Sequence, residues 1–400
     1  MQIYLVGGAV RDTLLGLPVK DRDWVVVGAT PQQLLGRGFV PVGKDFPVFL
    51  HPGSKEEYAL ARTERKTAPG YQGFAIHAAA DVTLEEDLAR RDLSINAMAV
   101  EASQLDRDGD FDPAQVRLTD PFHGQQDLRQ RVLRHVTDAF REDPVRILRV
   151  ARFAARFADF AVAPDTMSMM CSMVEHGEAA ALVAERVWQE MARGLMEATP
   201  ARMFTVLQTC GAHAVVLPEL TQGHAGAGDH VLRMLDQSAA RHAPLEVRFA
   251  CLCLYAHPVG TPAPARDAHP IRQMCARLRV PTDCTAMAEV AARERVALQD
   301  CVNLAPGALV QLLERCDAFR KPARFADLLL VVECDAHAGD DRLDLPYPPR
   351  AHMLAVLAAA QAVSTAHVAA QAQAQGLAGR QIGESVHAAR VEAVAQVRQT

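Results

Sequence analysis

The first apolar run, residues 3–6, ends on Gly7 and Gly8, and apolar positions then recur at helical spacing over 9–15, up to Gly16. This pattern predicts a buried strand, a diglycine turn and a short helix that Gly16 closes as its C-cap. Asp21-Arg22-Asp23 enters a second apolar run at 24–27, which completes a βαβ-like segment. Further runs predict strands at 47–51, 57–62 and 132–136, the last closing the unit. Thr30-Pro31 opens a short helix with proline at its first position. Thr83-Leu84-Glu85-Glu86 supplies an N-cap with acids in the first turn of a helix running towards Arg90-Arg91-Asp92. Between them, residues 63–74 are polar and punctuated by Pro69, Gly70 and Gly73, which reads as a mobile loop. Residues 101–112 are acidic and loop-like.

Strand and helix signals thus alternate over the first 140 residues, an α/β head. From 138 to 157, Val145, Leu148, Val150, Phe153 and Phe157 give the spacing of a strong helix that begins around Glu142-Asp143-Pro144-Val145-Arg146. The chain is then mostly helical, with breaks at Pro200, Gly211, Pro218 and the glycine-rich 223–228. A polar, proline-rich break at 335–350 precedes Ala-rich helices. The organisation expected is a head at 1–140, an all-α neck at 141–200, a helical body at 201–340 and a helical tail at 341–400.

Composition narrows the class. Half of the 400 residues are apolar, enough for several cores. No apolar run is long enough to span a membrane, and the N-terminus lacks a signal-like pattern, so a soluble cytoplasmic protein is expected. The nine cysteines lie from Cys171 onward without a C-x-x-C pair, which reads as reduced, largely buried thiols. The net charge of −6 does not point to nucleic acid, but residues 128–157 hold eight arginines against three acids. Such a local basic stripe can track phosphates.

The chemistry gathers at the start of the chain. A strand that turns through Gly7 and Gly8 into a helix offers free N–H groups to an anion, and Arg11 adds a charge-assisted bond. Asp21 and Asp23 project together from a strand, and paired carboxylates repel unless a cation sits between them. Hard oxygen ligands with room for phosphates suit Mg²⁺. Each piece alone has a plainer use, as a turn or a solvated strand end, but together they describe a nucleoside triphosphate site. Arg91-Asp92 reads first as an exposed pair on a helix, although Arg91 can hold phosphate oxygens and Asp92 can accept from a ribose 2′-hydroxyl, the use that the resemblance given below favours. Asp143 caps the following helix, or, with Arg146 three residues on, it shares a face. A carboxylate beside a guanidinium complements the Watson–Crick edges of cytosine and adenine and opposes those of guanine and uracil. Arg149, on the same side, reaches the base or the triphosphate.

Leu5-Val6-Gly7-Gly8-Ala9-Val10-Arg11-Asp12 with Asp21-x-Asp23 resembles the bacterial CCA-adding enzymes, the tRNA nucleotidyltransferases whose class also includes bacterial poly(A) polymerases. The resemblance is close up to about residue 190 and weak afterwards. It implies a polymerase-beta-like head followed by an all-α neck, body and tail, and template-independent addition of C, C and A to tRNA from CTP and ATP. Asp21 and Asp23 would be catalytic through Mg²⁺. Gly8, Arg11 and Arg91 would seat the phosphates, and Asp143, Arg146 and Arg149 would select the base. It implies a role for 63–74 in the switch to adenosine addition, and structural roles for the Asp120-Pro121-Phe122-x-Gly124 turn and for 185–190. A monomer is expected.

Relatives often carry a His-Asp phosphohydrolase domain in the body. No His-Asp dipeptide occurs here, and His224, His230, His242, His257 and His269 lack the needed acid, so that activity is expected to be lost. Poly(A) or partial CCA addition, and a non-catalytic RNA-binding role, remain the rival readings.

Overall fold

The computed structural model describes residues 1–400 except 43–47, 67–73, 78–79, 257–267, 340–344 and 398–400, and not the side chains of 64–66, 74–77, 222 and 224. The chain packs as two compact units, Met1–Glu190 with Thr205–Val216, and Met191–Phe204 with Leu217–Thr400.

The first unit is built on a seven-stranded sheet. Its strands are β1 Gln2–Val6, β2 Asp23–Val27, β3 Val40–Val42, β4 Val48–Leu50 and β5 Glu57–Leu60, then β8 Ala99–Glu101 and β9 Leu118–Thr119. The order is β3-β4-β5-β2-β1-β8-β9. β1 and β2 are buried apolar runs because they lie at the centre. Leu5 opposes Trp24, and Val6 opposes Asp23. Asp23 therefore shares a face with Val25 and Val6, which pack into a cluster with Leu88, Ala97 and Ala99. The opposite face carries Trp24 stacked on Tyr58, their centroids 5.3 Å apart.

Three features of this unit differ from expectation. β1 and β2 run antiparallel, so the segment through α1 (Gly8–Leu14) is not a parallel βαβ crossover. Residues 132–136 do not close the sheet. Only β10 Val132–Leu133 is strand, and it pairs parallel with β11 Ala161–Val162 in a ladder of its own. The true edge, β9, is two residues long and too short to show alternation. The polar stretch 63–74 read as a mobile loop begins as strand over 63–66 and ends on the first residue of another strand. β6 Thr63–Lys66 pairs antiparallel with β7 Phe74–His77, and the 67–73 part of that reading lies outside the described residues, as does Pro47.

The helices follow their caps. The C-cap of α1 is Leu15, and Gly16, expected there, follows it at φ +67° in the left-handed region. Thr30 and Thr83 each close a capping box, opening α2 Pro31–Leu35 and α3 Leu84–Ala89. α3 stops at Ala89, so Arg91 and Asp92 follow the helix rather than ride on it. The Asp120 carboxylate accepts from the backbone N–H groups of Gly124 and Gln125 at 2.6 and 2.9 Å, opening α4 Gly124–Gln130. A Cβ at Gly124 would stand 2.4 Å from the Ser94 carbonyl, so only glycine fits there.

The helix expected over 138–157 is two elements, a 3₁₀ turn Asp138–Glu142 and α5 Val145–Arg156. Pro144 excludes helical geometry at Asp143, which sits at φ −124°, ψ 105°. α6 Pro164–Glu175 and α7 Ala184–Leu195 follow.

The second unit is helical. Leu245–Cys253, Thr282–Gln299 and Pro322–Ala336 pack through Phe249, Leu252, Met287, Leu329 and Val331, all buried. All nine cysteines are free, and eight are buried. Among these helices Asp335 is 3% exposed. Its carboxylate accepts from His230 Nε2 and Tyr255 Oη at 2.8 Å and from Gln299 Nε2 at 2.6 Å, with Arg295 Nε at 3.6 Å. Burial alone would raise this carboxyl, but the His230 bond, the Arg295 charge and the Tyr255 bond hold it below the usual range. Among the described residues no single helix is long and apolar enough to cross a membrane.

Candidate active site

The first unit holds a cleft of about 610 Å³ whose walls come from the β1–α1 turn, the start of β2, the 90–96 segment, α5 and α7. Asp21, Asp23, Gly8, Arg11, Arg91, Asp143, Arg146 and Arg149, all singled out from the sequence, line this one cleft. Its lining carries ten cationic side chains against five carboxylates.

Gly7 and Gly8 let the other groups approach. Gly7 has φ +70°, and a Cβ there would lie 3.0 Å from Arg91 Nη1. Any larger residue would push Arg91 out of the cleft. Arg11 is 3% exposed, and the cost of burying it is offset by Asp12, which accepts from its Nε at 2.8 Å, and by Asn96, whose Oδ1 accepts from its Nη1 at 2.5 Å. Its guanidinium also lies over the Phe153 and Phe157 rings, at 5.1 and 5.3 Å. Desolvation draws its pKa down, and Asp12 partly restores it. Arg91 donates to Asp87 at 3.3 Å, while its Nε is buried without a protein acceptor.

Asp21 and Asp23 differ from the other acids of the cleft. Both are exposed, and neither has a hydrogen-bond or ion-pair partner among the described residues. Asp23 is the first residue of β2, fixed by its pairing with Val6 and Glu57, whereas Asp21 lies beyond the ladder. Two unpaired carboxylates on the rim of a cationic cleft suit a hard divalent ion that takes its other ligands from water and phosphate oxygens.

Asp92 lies deeper, 6% exposed. It accepts from Arg149 Nε at 2.7 Å, Asn96 Nδ2 at 3.0 Å and the Leu93 N–H at 2.9 Å. Three of a carboxylate's roughly four lone-pair sites are thus taken, leaving one towards the cleft. Burial pushes the Asp92 carboxyl up, but Arg149 and Asn96 outweigh it and hold it well below the usual range. A depressed carboxyl stabilises the fold fully above its unfolded value, about 3.9, and that contribution fades as pH falls towards the folded value. The melting-temperature gap between the parent and Asp92→Asn should therefore be constant from about pH 7 to 5 and narrow below about pH 4. A gap that widens on acidification would contradict this.

The Asp143 and Arg146 pair, expected to select the base, is assembled differently from the simple i, i+3 face. The Asp143 carboxylate is held fork-to-fork by Arg186 of α7, at 3.0 and 2.7 Å, and accepts the Val145 N–H at 3.1 Å. That last bond takes up the first amide of α5, whose N-cap position is Pro144. Arg146 is 8% exposed and donates to the carbonyls of Ala139 and Arg90 at 2.7 and 2.6 Å. Arg149 turns to Asp92, with Glu190 at 3.9 Å from its Nη1.

Arg186 was expected to be merely structural, within 185–190, yet it faces the cleft. Arg152, bound to Glu190 at 2.6 Å, and Arg156, bound to Asp12 at 2.9 Å, line the cleft as well. The spacing 146-149-152-156 already placed both on the Arg146 side of α5. No spacing rule could have found Arg186 or Asn96, which arrive from other elements.

Residues 3–134 match the family described as "Poly A polymerase head domain", and residues 159–223 match "Probable RNA and SrmB- binding site of polymerase A". A multifunctional CCA protein of Variovorax paradoxus (strain S110) is 57% identical over 416 residues, covering 99% of this chain and 99% of the relative. The chain belongs to the multifunctional CCA protein family. As a member it is a CCA-adding nucleotidyltransferase. A multifunctional CCA protein of Paracidovorax citrulli (strain AAC00-1) is likewise 57% identical, over 98% of this chain and 97% of the relative. The likeness thus extends past residue 190 to the whole chain, further than the motifs alone suggested.

Among solved structures, the Bacillus stearothermophilus CCA-adding enzyme in complex with CTP superposes with a TM-score of 0.68 at 26% identity, over 100% of this chain and 90% of that one. The Thermotoga maritima CCA-adding enzyme complexed with tRNA shares the fold, with a TM-score of 0.62 at 20% identity over 100% of this chain and 88% of that one.

Proposed function

We propose that the cleft binds CTP and ATP in turn, and that the 3′-hydroxyl of a tRNA attacks the α-phosphate held there, with release of pyrophosphate. The observation that carries this is the meeting of two unpartnered carboxylates with a ring of arginines in one cleft. Asp21 and Asp23 would hold Mg²⁺. When bound, such an ion neutralises the triphosphate and lowers the pKa of the attacking hydroxyl. Gly8, Arg11 and Arg91 seat the phosphates, and Arg152 and Arg156 extend the same cationic wall. Asp143, oriented by Arg186, accepts from the exocyclic amine of C or A, and Arg146 or Arg149 donates to the neighbouring ring nitrogen. Guanine and uracil would present donor to donor and acceptor to acceptor, leaving buried groups unpaired. The protein would bind tRNA through phosphates and shape.

The expectation of no phosphohydrolase activity in the second unit rests on the sequence, which holds no His-Asp pair.

The test is to supply tRNA lacking its 3′ triplet with labelled CTP, ATP or both. We expect two C residues, then one A, and no further extension. Runs of A would favour a poly(A) polymerase, and addition of only C or only A a partial enzyme. No conversion at all would favour a binding protein. In the same preparation, with a divalent metal present, a phosphodiester should yield no phosphomonoester and a phosphomonoester should release no phosphate.

A further inference from the structure

The residue between the two metal-facing aspartates points the other way. Arg22 lies outside the cleft lining, and its guanidinium meets the acidic 101–112 segment. Its Nε donates to the Gly109 carbonyl at 3.3 Å, and its Nη2 pairs with the Asp110 carboxylate.

The acceptors are held ready in a tight turn. One Asp106 carboxylate oxygen accepts the N–H groups of Asp108 and Asp110, each at 2.9 Å, and the Asp106 N–H donates to the Asp110 carbonyl at 2.9 Å. Gly109 has φ +79°, and a Cβ there would stand 3.2 Å from Arg22 Nε. The turn is thus shaped to admit the guanidinium.

What needs holding is Asp21. β2 begins at Asp23, so no ladder hydrogen bond fixes the backbone of the two residues before it. Side chains of successive residues in an extended chain leave on opposite sides, so anchoring Arg22 on one side sets the aim of Asp21 and Asp23 on the other. The geometry points to Arg22, clamped by Gly109 and Asp110, as the positioning residue that keeps the two aspartates converged on one divalent ion. This rests on the metal role given above to Asp21 and Asp23. It assigns the acidic segment a part in the reaction although none of its residues lines the cleft.

The test uses the full-length chain with CTP and Mn²⁺ as probe. Bound Mn²⁺ is read from the loss of free-ion electron paramagnetic resonance signal, alongside kcat and the KM for tRNA. Arg22→Ala should weaken Mn²⁺ affinity about tenfold, as loss of an outer support of metal ligands commonly does. It should lower kcat while leaving the KM for tRNA unchanged. Arg22→Lys, which keeps the charge facing Asp110, should recover part of the loss. Asp110→Ala should shift Mn²⁺ affinity about threefold the same way, in keeping with a partly exposed ion pair.

Mn²⁺ affinity equal to the parent's in a folded Arg22→Ala protein would overturn the proposal. Should that variant not fold, unchanged affinity in Asp110→Ala would do so. Full Mn²⁺ binding by Asp21→Ala would instead overturn the metal reading itself, whatever the Arg22 variants show.

Discussion

Asp21→Ala loses nucleotide addition by at least about a thousandfold, with CTP and ATP alike, because several kcal/mol of charge stabilisation goes with the metal. Its tRNA affinity should stay within about twofold of the parent, since a single rim carboxylate adds nothing to phosphate contacts. Asp21 is exposed and unpartnered, so its removal breaks no hydrogen bond and leaves no cavity. The melting temperature should therefore hold, which separates a lost metal ligand from a lost fold. Single-turnover incorporation and a filter-binding titration check both halves. Substantial incorporation by the folded variant would sink the metal assignment.

Arg146→Ala has the second largest effect, and on selectivity. The ratio of kcat/KM for CTP over UTP should fall by at least about tenfold, because a site that rejects a base through unpaired polar groups loses that penalty when its donor goes. Arg146 also ties together two carbonyls from different segments, those of Ala139 and Arg90. Leaving them unpaired costs about 1–3 kcal/mol of stability in addition. Competition between labelled CTP and UTP measures the first effect, and thermal melting the second. Undiminished rejection of UTP would remove Arg146 from the selecting set and leave the task to Asp143 and Arg149.

The residues proposed to meet the ligand were legible because the chemistry demands certain types close together in sequence. The glycine pair, Asp21-x-Asp23 and the arginines of α5 are all local patterns. Their supports were not legible, because they arrive from elsewhere. Asp143 gets its orientation from Arg186, forty-three positions away, through a fork that no periodicity encodes. Asp92 looked like a free acceptor after Arg91 and proved to be the buried seat of Arg149. The fold divides in the same way. Long apolar runs announced β1 and β2. β8 and β9, three and two residues long, carry too few positions to show a period. The proline at 144 was in plain view, yet the apolar spacing ran on through it, and only the backbone shows the helix restarting there.

Nine of the ten cations around the cleft are arginines, with Lys20 the exception. A guanidinium does not give up its proton in any medium where the protein survives. The grip proposed for the triphosphate therefore answers to the surrounding electrolyte. Mobile ions, which shorten electrostatic reach to about 8 Å at physiological strength, set how far from the wall an incoming nucleotide first feels it.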